Sequence, residues 1–280
     1  MPDATVNGCN LYYELRGSGP DVVFIHGEDH GIEQFHDQIP HFEQQYRCLT
    51  YYRRGHGKSE SAAFGYSLWN QTLDLAGLLD HLAIASTAIV GVGMGNAVAV
   101  SYTLFRPERV RGAILAAWYE LDGYPLLEER RKAHRMSFAE LHMKMFDISQ
   151  TLGEAALLDF IKRETDTLFP IFPTDPVLRL RMAQMVASHP PRHYIQALEH
   201  LTSVPNLVSE MHRIECPLLG VCGTEDPSPD RPELLAHVPN FQQAWIEGAR
   251  RFTLMERPEE FNGIVNAFLA ALPAAKQSAR

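Results

Sequence analysis

The sequence predicts an α/β fold: a mainly parallel central sheet with helices on both faces and a helical insertion. Three observations predict it. Short apolar runs alternate with segments of helical periodicity, the pattern of crossover-connected parallel strands. Residues from about 119 to 210 abandon that alternation and become rich in Met, Arg and Leu. The alternation then resumes with Leu218–Cys222 and runs nearly to the end of the chain.

Asn10–Leu15 reads as an early strand, and Gly17-Ser18-Gly19-Pro20 as the turn that ends it. Asp21–Ile25 is a short apolar run of the kind a buried strand shows. Ile32, Phe35, Ile39 and Phe42 fall at helical spacing and predict a helix. Arg47–Tyr51 is a strand candidate. Leu68–Leu82, with Leu73, Leu75, Leu78, Leu79 and Leu82 at helical spacing, predicts a helix. Thr87–Val92 (strand), Asn96–Phe105 (helix) and Gly112–Ala117 (strand) follow. After the helical block come Gln243–Ile246, a strand, and Pro258–Leu272, a helix. The core is expected to comprise residues 1–118 and 211–280, with 119–210 as a lid over the ligand crevice.

Composition fits one large domain. Of 280 residues, 45% are hydrophobic and 21% charged. The net charge of −9 argues against nucleic acid or an anionic membrane as the main partner. Cys9, Cys48, Cys216 and Cys222 form no CxxC pair, and no basic, apolar leader is visible, so a reduced cytoplasmic setting is expected. The apolar run around Ala88–Val100 is interrupted by glycines and Asn96 and is too short to span a bilayer. A monomer or homodimer is expected.

Five stretches carry more specific information. His26-Gly27 follows a buried strand, and Arg54-Gly55-His56-Gly57-Lys58-Ser59 follows the next. Gly91-Val92-Gly93-Met94-Gly95-Asn96 lies at a strand-to-helix turn. Gly223-Thr224-Glu225-Asp226 and Arg257-Pro258-Glu259-Glu260-Phe261 come near the end. In this order they resemble the α/β-hydrolase superfamily over residues 8 to 272. That family places a serine at the centre of a Gly-x-Ser-x-Gly elbow. Here Gly91 and Gly95 match the flanks, but the centre is Gly93, which cannot form an acyl-enzyme. The resemblance puts the triad acid at Asp226 and the triad histidine at Arg251. Arginine stays protonated and cannot shuttle a proton. The oxyanion donors implied are the backbone N–H groups of Glu28 and Met94.

The expectation is therefore a pocket that stabilises an enolate or carboxylate without a covalent step, as a lyase, decarboxylase, isomerase or cyclase does. Asp226 and Arg251 would form its floor. Glu28, Asp29, His30, Tyr119 and Glu120 are acid/base candidates, though Glu28 and Asp29 also read as a solvated loop and His30 as a surface or helix-start residue. Trp118 and Tyr119 are expected to line the pocket, beside His26, which in this family orders its loop. Met136, Met143, Met145, Phe146, Phe169 and Phe172 read as an apolar roof or as lid core. The ligand expected is a small, largely apolar or aromatic molecule with an acidic or enolisable group. A non-catalytic binder and a hydrolase with an unrecognised nucleophile are the alternatives. No cofactor is expected. No metal is expected either: His26, His30, His36 and His41 lie close in sequence but lack a zinc-binding spacing. His189 and His193 read as a lid loop.

Overall fold

Period-two burial in the first strands and fully buried runs in the later ones place the chain in a single eight-stranded sheet. The structure is a computed structural model and describes residues 3–117, 121–123, 136–169, 171–226 and 237–273. The strands are β1 (Asp3–Val6), β2 (Cys9–Arg16), β3 (Asp21–Ile25), β4 (Arg47–Tyr51), β5 (Thr87–Val92), β6 (Val110–Ala116), β7 (Leu218–Gly223) and β8 (Phe241–Ile246). Their order is β1-β2-β4-β3-β5-β6-β7-β8. Only the β1–β2 and β2–β4 pairings are antiparallel. β1 is an addition to the strands the sequence predicts. It pairs with β2 through an Asn7-Gly8 turn with both φ angles positive, the two-residue hairpin whose twist suits flanking strands.

From β3 the chain winds outward to β4, then returns to the other side of β3 to form β5. Strand order thus reverses between β3 and β5, and ligands of open α/β sheets bind beyond the carboxyl ends of strands at such a reversal. The helices are α1 (Ile39–Phe42), α2 (Leu68–His81), α3 (Met94–Phe105), α4 (Phe138–Leu152), α5 (Glu154–Leu168), α6 (Pro176–Ala187), α7 (Pro191–Ser203), α8 (Thr253–Glu256) and α9 (Pro258–Ala271). Two apolar clusters cover the two sheet faces. The helix expected across Ile32–Phe42 is instead a 3₁₀ turn at Ile32–Phe35 followed by the single turn of α1, which has Pro40 in its first turn. A proline lacks the N–H that would continue the hydrogen-bond ladder.

Between β6 and β7 the described residues form helices and no strand. Local signals delimit them. Ser137 and Glu140 make a reciprocal capping box at α4, and the Asp175 carboxylate accepts from the Leu178 N–H ahead of Pro176 at α6. Of the proposed roof residues, Met145, Phe169 and Phe172 are buried in the core cluster, with Met136 and Phe146 partly buried against it. Met143 is 48% exposed and belongs to no roof. It lies on the outer face of α4, two residues before Met145, and helical geometry separates such positions by about 200°.

Candidate functional site

Gly93 caps α3 at the end of β5, with φ 54° and ψ −123°. Its N–H donates to the Ala116 carbonyl (3.0 Å) and its carbonyl accepts from Asn96 (2.9 Å). The flanking glycines are steric requirements. A Cβ on Gly95 would lie 2.2 Å from the Ile25 carbonyl oxygen, and one on Gly91 would lie 2.9 Å from that of Gly95. Residues without side chains let α3 start hard against the end of β3. Gly93 keeps some accessible surface although Val92 and Met94 are buried. Met94 is the first residue of α3, so its N–H points out of the helix end together with the positive end of the dipole.

Serine in the Gly93 conformation is strained by roughly 1–3 kcal/mol. Gly93→Ser is therefore expected to lower the urea midpoint by that equivalent and, alone, to give no labelling by a fluorophosphonate probe. Gly93→Ser with Arg251→His is expected to label. Labelling of the single variant would show that another base already serves this position.

Asp226 follows β7, and Arg251 lies in the loop between β8 and α8. The Arg251 Nε atom is 3.8 Å from Asp226 Oδ2, with both side chains about nine-tenths buried. Burial pulls the Arg251 pKa down from the usual arginine range, which starts so high that the guanidinium stays a cation at neutral pH. His30 reaches the same region from the other side. A Cβ on Gly27 would lie 3.5 Å from both His30 Nδ1 and the Val92 carbonyl oxygen, which places the imidazole beside the elbow. The His30 ring centroid lies 5.2 Å from that of Phe252, the neighbour of Arg251. Burial pushes His30 down to about 4, so it stands as a neutral imidazole, and its Nε2 has no hydrogen-bond partner.

The residues after β3 form a dense polar cluster. His26 Nδ1 donates to the Gly27 carbonyl (2.8 Å) and its Nε2 accepts from the Arg53 N–H (3.0 Å), which fixes a neutral ring beneath the loop. The Glu28 carboxylate accepts from Arg53 Nη2 (2.9 Å) and from His200 Nδ1 on α7 (2.6 Å). Its carbonyl accepts from His56 Nε2 (2.6 Å). Burial works to raise the Glu28 pKa, but the Arg53 guanidinium and His200 overcome it and hold the carboxyl well below the usual range. Its carboxylate is thus occupied in joining the core to the helical insertion.

Asp29 Oδ1 lies 3.4 Å from His193 Nε2 on α7 and 4.0 Å from His142 Nε2 on α4. These contacts outweigh burial and bring its pKa to about 2. The His189 ring stacks on His193 at 3.9 Å. These histidines have no role legible in the sequence, because spacing along the chain says nothing of what folds over it. The structure brings four of them, at 142, 189, 193 and 200, onto the loop beside the elbow. Trp118, Tyr119 and Glu120 lie outside the described residues. Among those described, no group of three or more His, Cys, Asp or Glu is arranged to hold a metal ion, and no helix is long and apolar enough to cross a membrane.

Known proteins share this architecture. A family model described as the alpha/beta hydrolase fold matches residues 20–228. The chain is 29% identical over 274 residues to a "putative non-heme bromoperoxidase BpoC" of Mycobacterium tuberculosis, covering 95% of the chain and 99% of that protein. It is 25% identical over 281 residues to a "putative 2-succinyl-6-hydroxy-2,4-cyclohexadiene-1-carboxylate synthase" of Bacillus subtilis, covering 93% and 95%. In fold it is similar to the enol-lactonase of Burkholderia xenovorans LB400, with a TM-score of 0.76, 23% identity, and 96% and 100% of the two chains covered.

Proposed function

The chain belongs to the α/β-hydrolase fold family, and from that premise we propose that it is a cofactor-independent, non-hydrolytic enzyme. In this reading the triad is degenerate: Gly93 stands at the nucleophile position and Arg251 at that of the base. The protein stabilises an enolate- or carboxylate-like species of a small, largely apolar or aromatic molecule, as a lyase, decarboxylase, isomerase or cyclase. The lid is residues 119–210 and the core 1–118 and 211–280. The observation that carries the reading is Gly93 in the elbow conformation, with no oxygen or sulfur to attack a carbonyl.

Arg251, oriented by Asp226, supplies positive charge at the pocket floor. The N–H groups of Met94 and Glu28 add the oxyanion donors. His30, neutral and beside the elbow, is the proton acceptor. The name of the Bacillus subtilis relative, a carboxylate synthase, is consistent with non-hydrolytic chemistry on this scaffold. The second reading is hydrolysis by an activated water. It draws support from relatives named as hydrolases, such as the "3-oxoadipate enol-lactonase 2" of Acinetobacter baylyi.

Native mass spectrometry of the purified protein identifies a co-purifying small molecule, and turnover of that molecule in H₂¹⁸O separates the readings. The expected product carries no ¹⁸O, and Arg251→Ala is expected to lower kcat/KM at least about 100-fold, the scale of losing one transition-state anion contact. Incorporation of ¹⁸O, or full activity of the variant, overturns the proposal. A ligand returned unchanged marks a binding protein.

A further inference from the structure

Asp29 is held by one oxygen. Both histidine contacts, from His193 and His142, fall on Oδ1. No hydrogen bond or ion pair engages Oδ2 among the described residues, and the side chain keeps 25% of its surface accessible while His193 and His142 are almost wholly buried. Two imidazole nitrogens around this carboxylate, His30 Nε2 and His193 Nδ1, also have no partner, on rings more than nine-tenths buried. Buried polar atoms left this way are ordinarily satisfied by water or a bound ligand.

The position gives these atoms a use. Asp29 sits in the loop after β3, next to the strand that carries the elbow, at the point where strand order reverses. The His30 ring also packs 5.2 Å from Phe252, the chain neighbour of the Arg251 cation paired with Asp226. The region beside the elbow therefore carries a carboxylate as well as a cation. The nearby Glu28 carboxylate does not serve in its place, because Arg53 and His200 occupy it.

We propose that Asp29 Oδ2, flanked by His30 and His193, is a recognition site for a hydrogen-bond donor on the ligand, an ammonium or hydroxyl group set apart from its acidic or enolisable end. This rests on the reading of Arg251 as the anion-binding floor and adds to it the second half of the substrate class. His193 and His142 act as positioning residues. They fix the carboxylate from the insertion, so the donor site exists only when those helices lie over the loop.

Binding of benzoate and of 4-(aminomethyl)benzoate, measured by isothermal titration calorimetry, tests it. Both offer a carboxylate to Arg251, and only the second offers an ammonium at its other end. The wild-type protein is expected to bind the ammonium-bearing probe at least about tenfold more tightly, the scale of one hydrogen bond to a charged group. Asp29→Asn is expected to collapse that ratio to within about threefold. Arg251→Ala is expected to weaken both probes together, so a failed floor and a failed donor site give different patterns. A wild-type ratio near one overturns the donor site alone, without need of any variant, whereas no binding of either probe overturns it together with the floor on which it rests. A ratio that survives in Asp29→Asn also overturns the donor site.

Discussion

Lowering the pH from 7.5 to 5 is expected to remove at least about 4 kcal/mol of folding stability, because the fold buries histidines as neutral rings. His26 and His56 are held well below their ordinary value, first by burial and then by the Arg53 cation. His200 is lowered by burial, against the pull of Glu28. His30 falls to about 4 and His189 to about 3, both chiefly through burial. In the unfolded chain each ring takes up its proton below about 6.5. Between that value and the folded one, the unfolded state binds more protons, so stability falls as pH falls. Each ring contributes up to about 1.4 kcal/mol per pH unit, and His30 alone about 3 kcal/mol by pH 4. Asp29, ordinarily near 3.9 and held at about 2, extends the loss: its contribution is present above the ordinary value and disappears as pH falls through the folded one. Urea midpoints across this range check the result, and a midpoint that is flat from pH 7.5 to 5 would contradict neutral burial.

Much of this arrangement is legible in the sequence, and the boundary is physical. The alternation of strands and helices survives in the sheet because parallel strands are buried on both faces and so appear as short apolar runs, as Asp21–Ile25 and Thr87–Val92 do. The glycines at 91 and 95 are legible because steric demand at a tight turn leaves a local signature. The short β1 is not legible as a strand, since four residues with alternating burial carry little periodicity. The histidines at 142, 189, 193 and 200 are silent for a different reason. Each is an ordinary helix or loop residue until the insertion folds over the loop after β3, and contacts spanning 164 and 172 residues leave no trace in local spacing. The polar contacts on the loop after β3 come largely from such pairings, so its chemistry is the part of the candidate site least readable from sequence.

Arg53→Met is expected to cost about 3–5 kcal/mol, the range for removing one partner of a buried ion pair. Arg53 is 1% exposed and spends its guanidinium on groups around the loop. Nη1 donates to Gln71 Oε1 (2.7 Å) and lies 3.1 Å from His200 Nδ1, while Nη2 donates to the Gly27 carbonyl (3.0 Å) and to Glu28 Oε2 (2.9 Å). Without the cation, the Glu28 carboxylate stays buried with only the His200 and His56 rings against it, and burial pushes its pKa upward. Two consequences separate this from a simple packing defect. The variant should recover part of its deficit relative to wild type as pH falls, because a protonated Glu28 no longer needs a counter-charge. Arg53→Met combined with Glu28→Gln should be more stable than Arg53→Met alone, since removing both charges of a buried pair costs less than stranding one. The expected drop in Tm for the single variant is roughly 10 °C. A loss below about 1 kcal/mol, or a double variant no more stable than the single one, would mean the pair does not join the insertion to the core. The acid/base role of Glu28 expected from the sequence would then return, because its carboxylate would be available to a ligand instead of committed to the fold.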